Sequence, residues 1–440
     1  GFIHGINLAG ASAYDCGLAS TPAMFMSTVM DEFRCSGSVM ITASHLPYNR
    51  NGFKFFTPAG GLEKEDITAL LVKAEQLLSD DLVPDTRSTV MPLMEAYSAF
   101  LREMILKGIN GNDSEVPLSG MKIIVDAGNG AAGFFAEKVL LPLGADITGS
   151  QFLDPDGMFP NHEPNPENIE AMKSIRKAVL SSKADLGIIF DTDVDRAAIV
   201  DSNGTIINRN SLIALISSIV LEEHPGTTVV TDSVTSDGLA DFINIKLGGR
   251  HHRFKRGYKN VINEAIRLNS SGEECHLAIE TSGHGAIKEN YFLDDGAYLV
   301  VKVISKFARL KKEQNRDLMS LIGNLKQPVE EAEFRISLLE KDFAAQGKTI
   351  ISSLDDFART REGWSIVPDN YEGTRISFSH NSGKGWFLMR MSLHDPVIPI
   401  NIESDTAGGT KNAATSICEF LERFNNIQYD SLISYISQAE

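Results

Sequence analysis

The chain has 440 residues, 42% of them hydrophobic, enough to bury several cores and, by length, to form two to four domains. Its 41 basic and 58 acidic side chains give a net charge of −17 and a pI near 5.1, which opposes nucleic-acid binding and makes any anionic substrate depend on local Lys and Arg. Four cysteines without CxxC spacing read as reduced thiols in an intracellular compartment, and no apolar run reaches transmembrane length, so no membrane partner is expected.

The chain opens Gly-Phe-Ile-His-Gly-Ile-Asn-Leu-Ala-Gly, with neither a basic leader region nor transit-peptide composition. The apolar run Ser38-Val39-Met40-Ile41 then leads into Thr42-Ala43-Ser44-His45-Leu46-Pro47 and Tyr48-Asn49-Arg50-Asn51-Gly52-Phe53-Lys54. Pro47, Asn49, Asn51 and Gly52 end regular structure, so Ser44 sits at a strand end, either as a local cap or as a nucleophile.

Residues 121–126 predict a strand entering Gly128-Asn129-Gly130-Ala131-Ala132-Gly133. The glycines satisfy G-x-G-x-x-G, and Asp146 falls where a dinucleotide-binding fold carries its ribose-binding acid, but a lone triplet is a weak signal and a tight strand-to-helix turn is the favoured reading. Residues 185–190 predict the next strand, feeding Asp191-Thr192-Asp193-Val194-Asp195-Arg196. In extended backbone alternate residues share a face, which groups Asp191, Asp193 and Asp195. Three adjacent carboxylates call for a cation, and an all-oxygen anionic set suits Mg2+. The alternatives fit less well: the apolar feeding strand argues against a solvated acidic turn, and an EF-hand needs Gly and Glu where Arg196 and Ser202 stand.

Residues 276–279 predict a strand ending in Glu280-Thr281-Ser282-Gly283-His284, an acceptor, hydroxyls and a glycine suited to vicinal sugar hydroxyls. Upstream lies Gly257-Tyr258-Lys259, readable as a buried Tyr beside a solvated Lys. Residues 386–389 run into Arg390-Met391-Ser392-Leu393-His394-Asp395-Pro396, where an arginine fork and turn amides suit a phosphate, with Arg375 a further contributor. Strand-like runs alternating with helical patterns predict α/β layers, with these loops at the carboxyl ends of strands. Polar stretches near 108–115, 202–210 and 323–328 set boundaries at 1–115, 116–205, 206–326 and 327–440.

The serine loop, the Val-Asp-Ala-Gly-Asn-Gly turn and Asp-x-Asp-x-Asp-Arg together resemble the α-D-phosphohexomutases, the superfamily of phosphoglucomutase, phosphomannomutase and phosphoglucosamine mutase, over almost the whole chain. The resemblance implies a multidomain α/β fold, three related α/β domains with mixed sheets plus a smaller C-terminal α+β domain around a central cleft. It implies a phosphorylated Ser44 that donates its phosphoryl group, with Lys54 as acid or base and His45 a second candidate. Asp191, Asp193, Asp195 and Ser44 would hold Mg2+, and Arg196 would contact the phosphoryl group or the carboxylates. Glu280 and Ser282 would grip sugar hydroxyls, supported by His284, Tyr258 and Lys259, while Arg390, Ser392 and His394 would hold the non-transferring phosphate.

The implied activity is an isomerase's, intramolecular phosphoryl transfer between sugar 1-phosphate and sugar 6-phosphate through a phosphoserine and a hexose 1,6-bisphosphate that is also the activator. Phosphoglucomutase or phosphomannomutase leads; phosphoglucosamine mutase, phosphopentomutase, a noncatalytic sugar-phosphate binder and, from the glycine triplet, an oxidoreductase are the alternatives. The expected partners are small-molecule sugar phosphates, the protein being a soluble monomer or dimer of cytoplasm or plastid stroma. Some positions depart from the family pattern. Leu46 replaces a usual Asn, Leu393 and His394 replace small and hydroxyl residues, and the basic Ser-Gly-Leu-Arg-Gly-like segment is missing, so the first domain is expected to be N-terminally trimmed. The run from Arg390 to Glu403 resembles a plastid subgroup.

Overall fold

The apolar run before the acidic loop forms the strand Leu186–Phe190, every residue of which is buried. It pairs in parallel with Ile123–Asp126 and antiparallel with Ala197–Asp201, making a mixed sheet. The helix Ile169–Ser182 lies on that sheet. Asn168 caps it by accepting from the amides of Glu170 and Ala171, and Ala171, Met172, Ile175 and Val179 form its buried face. A β-carbon on Gly187 would lie 2.3 Å from Val179 Cγ2, so a side chain there would lift the helix. Burial lost that way is worth about 1.5–3 kcal/mol per aliphatic side chain.

These elements belong to a first compact unit, Gly1–Glu223 with Ser282–Gly323, of a computed structural model that describes residues 1–44, 46, 48–76, 85–109, 115–314, 316–380, 383–392 and 395–437. The same unit holds the hairpin of Ser38–Ile41 and Phe53–Thr57, in which Met40 faces Lys54. The helix Thr21–Val29, capped by Ser20, packs on the hairpin and buries Phe25 and Met26. Helices Leu93–Gly108 and Gly296–Gln314 lie side by side, pinned by the buried Tyr97 hydroxyl, which donates to Asp295 at 2.8 Å.

In the second unit, His224–Thr281 with Asn324–Glu440, the strands Thr228–Thr231, Arg250–Arg253 and Cys275–Ile279 run parallel. The helix Tyr258–Ser270 covers them through Val261, Ala265 and Leu268, the spacing of one helical face. The C-terminal part is an antiparallel sheet in the order Trp364–Ile366, Thr374–His380, Gly383–Met389, Val397–Ser404, Glu330–Leu338, Ile427–Gln428. Phe334, Ile336, Ile376, Phe387 and Ile400 from its strands share one core with Ile350, Leu354 and Ile417 from helices Phe343–Arg359 and Gly409–Leu421. The fold is thus the α/β class with an α+β C-terminal portion that the sequence predicts.

Candidate active site

Ser44 follows its strand with φ +50, a left-handed conformation that non-glycine residues seldom adopt, and its amide donates to Thr42 Oγ1 at 2.9 Å. Its hydroxyl lies 3.5 Å from Asp191 Oδ2 as donor and accepts from Arg196 Nη2 at 3.3 Å. The strand-end serine and the acidic loop, far apart in sequence, therefore meet.

Asp191, Asp193 and Asp195 are at most 1% exposed, and one carboxylate oxygen from each lies within 4.8 Å of the others. Arg196 Nε donates to Asp191 Oδ2 at 3.1 Å, and Thr21 Oγ1 donates to Asp193 Oδ2 at 2.6 Å. Lys54 Nζ reaches both Asp193 Oδ2, at 3.1 Å, and Asp195 Oδ2, at 2.5 Å. His284 Nδ1 is 3.8 Å from Asp195 Oδ1 and 2.6 Å from Asp294 Oδ2.

Burial first, then the neighbouring Asp195 charge, pushes the Asp191 carboxyl well above the usual carboxylate range. Against its burial, Asp195 is held below that range by Lys54, His284 and Arg196. His284, opposed by burial but facing Asp294 and Asp195, is pushed up to about 9. Oδ1 of Asp193 and Oδ1 of Asp195 are buried without a hydrogen-bond partner among the described residues. Unpaired buried carboxylate oxygens are costly, and a hard divalent cation offsets that cost, so this donor set fits Mg2+.

The glycine triplet lies beneath the acidic loop. Ala131 N donates to Thr192 O at 2.8 Å, and a β-carbon on Gly130 would stand 2.7 Å from that same oxygen. Gly128, at φ +53, donates its amide to Asp126 Oδ1, and Asp126 is bonded in turn to His162 Nε2. Asp146 accepts from the Thr148 amide and faces Lys122, so it is engaged locally. The triplet is a structural turn, and the dinucleotide alternative loses its basis.

The second unit holds Glu280, Tyr258, Lys259, Arg390 and Ser392. Glu280 Oε1 accepts from Gly257 N at 2.5 Å, at the start of the helix that carries Tyr258 and Lys259, both half-buried. Arg390 is 6% exposed, with its Nη1 3.4 Å from Met391 O and its Nε without a hydrogen-bond partner among the described residues. Ser392 Oγ accepts from Asp395 N at 3.2 Å. Arg375, considered for phosphate contact, is instead buried, donating to Ser233 O, Thr235 O and Asp237 Oδ1 and stacked 3.5 Å from the Trp386 ring centroid. Ser282 lies buried in the first unit, with His284. His45 and His394 lie outside the described residues.

Sequence reasoning misses Thr21, Asn165 and Asp294, and the surroundings of the first two carry no motif. Asn165 Oδ1 accepts from Arg196 Nη1 at 3.4 Å, a contact no local pattern announces. The pair Asp294-Asp295 before a helical run is a signal that was available: Asp295 Oδ1 accepts from Tyr298 N at 2.9 Å, and Asp294 holds His284.

A nucleophile candidate, an acidic cluster suited to a divalent cation and a buried arginine on an α/β scaffold define a phosphoryl-transfer enzyme. Residues 1–76, 97–204 and 208–327 match, in turn, α/β/α domains I, II and III of phosphoglucomutase/phosphomannomutase. A phosphomannomutase/phosphoglucomutase of Pseudomonas aeruginosa is 30% identical over 406 residues, 92% of this chain and 80% of that protein. Among solved structures, a phosphoglucomutase/phosphomannomutase family protein of Burkholderia thailandensis superposes with TM-score 0.75 at 24% identity, covering 96% of this chain and 85% of that one. N-acetylphosphoglucosamine mutase of Aspergillus fumigatus, solved with GlcNAc-6P and magnesium, gives 0.54 at 13% identity, covering 91% of each chain. The chain belongs to the phosphoglucomutase/phosphomannomutase family of the α-D-phosphohexomutase superfamily.

Proposed function

We propose that the protein is a phosphohexomutase of phosphoglucomutase/phosphomannomutase type, interconverting sugar 1-phosphates and 6-phosphates through phosphorylated Ser44 and a hexose 1,6-bisphosphate that turns around between half-reactions. The observation that carries this reading is the 3.5 Å approach of Ser44 Oγ to Asp191 Oδ2 with Arg196 Nη2 at 3.3 Å. In the first half-reaction the Oγ–P bond breaks while a P–O bond forms to the sugar hydroxyl, whose proton leaves to a base. Lys54, an ammonium held by Asp193 and Asp195, has a proton to give to the departing Oγ. Arg196 would steady charge on the moving group, and Glu280 and Ser282 would orient the sugar. Arg390 and Ser392 would fix the phosphate that does not react, with Tyr258 and Lys259 as further substrate contacts and His284 in a supporting role. Asp191, Asp193, Asp195 and Ser44 would hold Mg2+, which supplies charge neutralisation at the transferring phosphoryl oxygens.

The same reading keeps four domains, 1–115, 116–205, 206–326 and 327–440, and places the chain with the plastid-type subgroup on the sequence from Arg390 to Glu403. A cytoplasmic or stromal address, free sugar phosphates as partners and a monomeric or dimeric state go with it. No described helix is long and apolar enough to cross a membrane. The test is a panel of glucose, mannose and N-acetylglucosamine 1-phosphates with Mg2+ and glucose 1,6-bisphosphate, together with mass spectrometry of the Ser44 peptide. Turnover with phosphate on Ser44 is expected, and undiminished turnover by Ser44→Ala would overturn the proposal.

A further inference from the structure

Arg256 stands just before Gly257, and the two consecutive amides point to two different parts of the second unit's site. Arg256 N donates to Glu372 Oε2 at 3.1 Å, and Gly257 N donates to Glu280 Oε1 at 2.5 Å. The first bond ties residue 256 to the segment that packs on Arg390: a β-carbon on Gly373 would fall 2.8 Å from Arg390 Cα, and Thr374 pairs with Met389 across the sheet. The second bond sets it beside the acid assigned to sugar hydroxyls. Glu372 Oε2 also accepts from the Ser233 hydroxyl, which fixes the anchor from a third element.

Arg390 is buried, and its Nε has no hydrogen-bond partner among the described residues. Burial first, and the Arg256 charge with it, lower the Arg390 pKa against the pull of Glu372 and Asp232. Asp232 is itself pushed up by burial against the lowering charges of Arg256 and Arg390. Arg390, with an unused buried donor, and Arg256, tied through Glu372 to the segment that packs on Arg390, are arranged for a multivalent anion. The loop after Arg390 carries Leu393 and His394 where resembling enzymes place small and hydroxyl donors, so the phosphate needs donors from elsewhere.

We infer that Arg256 is a ligand of the non-reacting phosphate of a sugar phosphomonoester, sharing it with Arg390 and setting its reach from the sugar hydroxyls at Glu280. This rests on the mutase reading above. The test uses the full chain and its R256A and R256K variants, titrated calorimetrically with inorganic phosphate in metal-free buffer and assayed for sugar 1-phosphate turnover with Mg2+. R256A is expected to bind phosphate about tenfold more weakly or worse and to raise KM by a similar factor while kcat moves far less. R256K should recover part of both, keeping the charge without the planar fork. If R256A does not melt cooperatively, the R256K titration alone decides, and binding as tight as in the unaltered protein overturns the inference. Phosphate affinity and KM untouched by R256A, in a protein that turns sugar phosphates over, also overturn it. Lost phosphate binding in a protein whose unaltered form turns nothing over would sink the mutase reading and leave Arg256 as an anion ligand.

Discussion

Lys54 Nζ lies 2.5 Å from Asp195 Oδ2, and 3.1 Å from Asp193 Oδ2, so a fixed ammonium already shares the carboxylates that Mg2+ would take. Protein cation and metal ion therefore compete for, or divide, the same negative charge. Lys54→Met should leave the acidic trio under-compensated. Removing one partner of a fully buried pair costs roughly 3–5 kcal/mol, and the quarter exposure of Lys54 reduces that to about 1–3 kcal/mol. The expected outcome is a lower metal-free melting temperature, tighter Mg2+ binding and slower turnover. A K54M protein that melts and binds Mg2+ as the unaltered chain does would show that the lysine is not the counter-charge of the trio.

Mg2+ itself should stabilise the native protein by mass action, by about 2.7 kcal/mol at a free concentration one hundred times Kd. Asp193→Asn should abolish most of that increment, because it removes a charge from a buried set whose Oδ1 has no partner among the described residues. Thermal melts across a Mg2+ titration, with Ca2+ for comparison, measure it; an equal increment in D193N would remove Asp193 from the ligand set.

Gly130→Ala tests whether the glycine turn supports the acidic loop. The added carbon would meet Thr192 O at 2.7 Å and Thr192 Cα at 2.8 Å, both backbone atoms that cannot swing aside. Overpacking of this kind costs about 1–3 kcal/mol. Because Thr192 lies between two of the acids, the strain should also weaken Mg2+ binding. Loss of stability with Mg2+ affinity intact would confine the turn to a packing role.

Some of this site is legible in sequence because its information is local. A buried strand, then a loop of turn-forming or charged residues, marks Ser44, the acidic trio and Arg390 from a dozen residues each. Thr21 carries no such mark, since its bond to Asp193 spans 172 positions and arises only when helix Thr21–Val29 docks. Arg375 illustrates the opposite failure. Sequence gives its donors but not their direction, and strand pairing turns the guanidinium inward onto Trp386. The loop 280–284 reads as one element, yet the chain passes from one compact unit to the other between Thr281 and Ser282.

Arg375 should be a stability residue of the second unit. It is 1% exposed, with three hydrogen bonds to residues 233–237 and an indole beneath it; burial, then Arg253, lowers its pKa to about 9. Arg375→Ala leaves the acceptors at Ser233 and Thr235 unpaired and empties the stack, a loss of about 3–5 kcal/mol. Arg375→Lys keeps a charge but not the planar fork, so it should rescue only part. Urea unfolding monitored through tryptophan fluorescence reads this directly, as Trp386 is the stacking partner; a midpoint unmoved in R375A would make the clasp energetically idle.

Glu403 supplies a pH dependence whose sign can be worked out. It is 8% exposed, and burial pushes its carboxyl up to about 7 despite the Trp386 Nε1–H bond at 2.8 Å and the charge of Arg375. An unfolded glutamate titrates near 4.3, so between that value and about 7 the native state holds a proton that the unfolded chain has released. Stability must then fall as pH rises through this window, since the native state binds more protons there. The full effect is of the order of 3 kcal/mol, approached above pH 7. Glu403→Gln keeps an acceptor for the indole and removes the titration. E403Q should therefore match the unaltered protein near pH 5, exceed it at pH 8, and show a flatter stability profile in between. Parallel profiles for the two proteins in urea melts from pH 5 to 8 would mean that the Glu403 carboxyl is already ionised throughout.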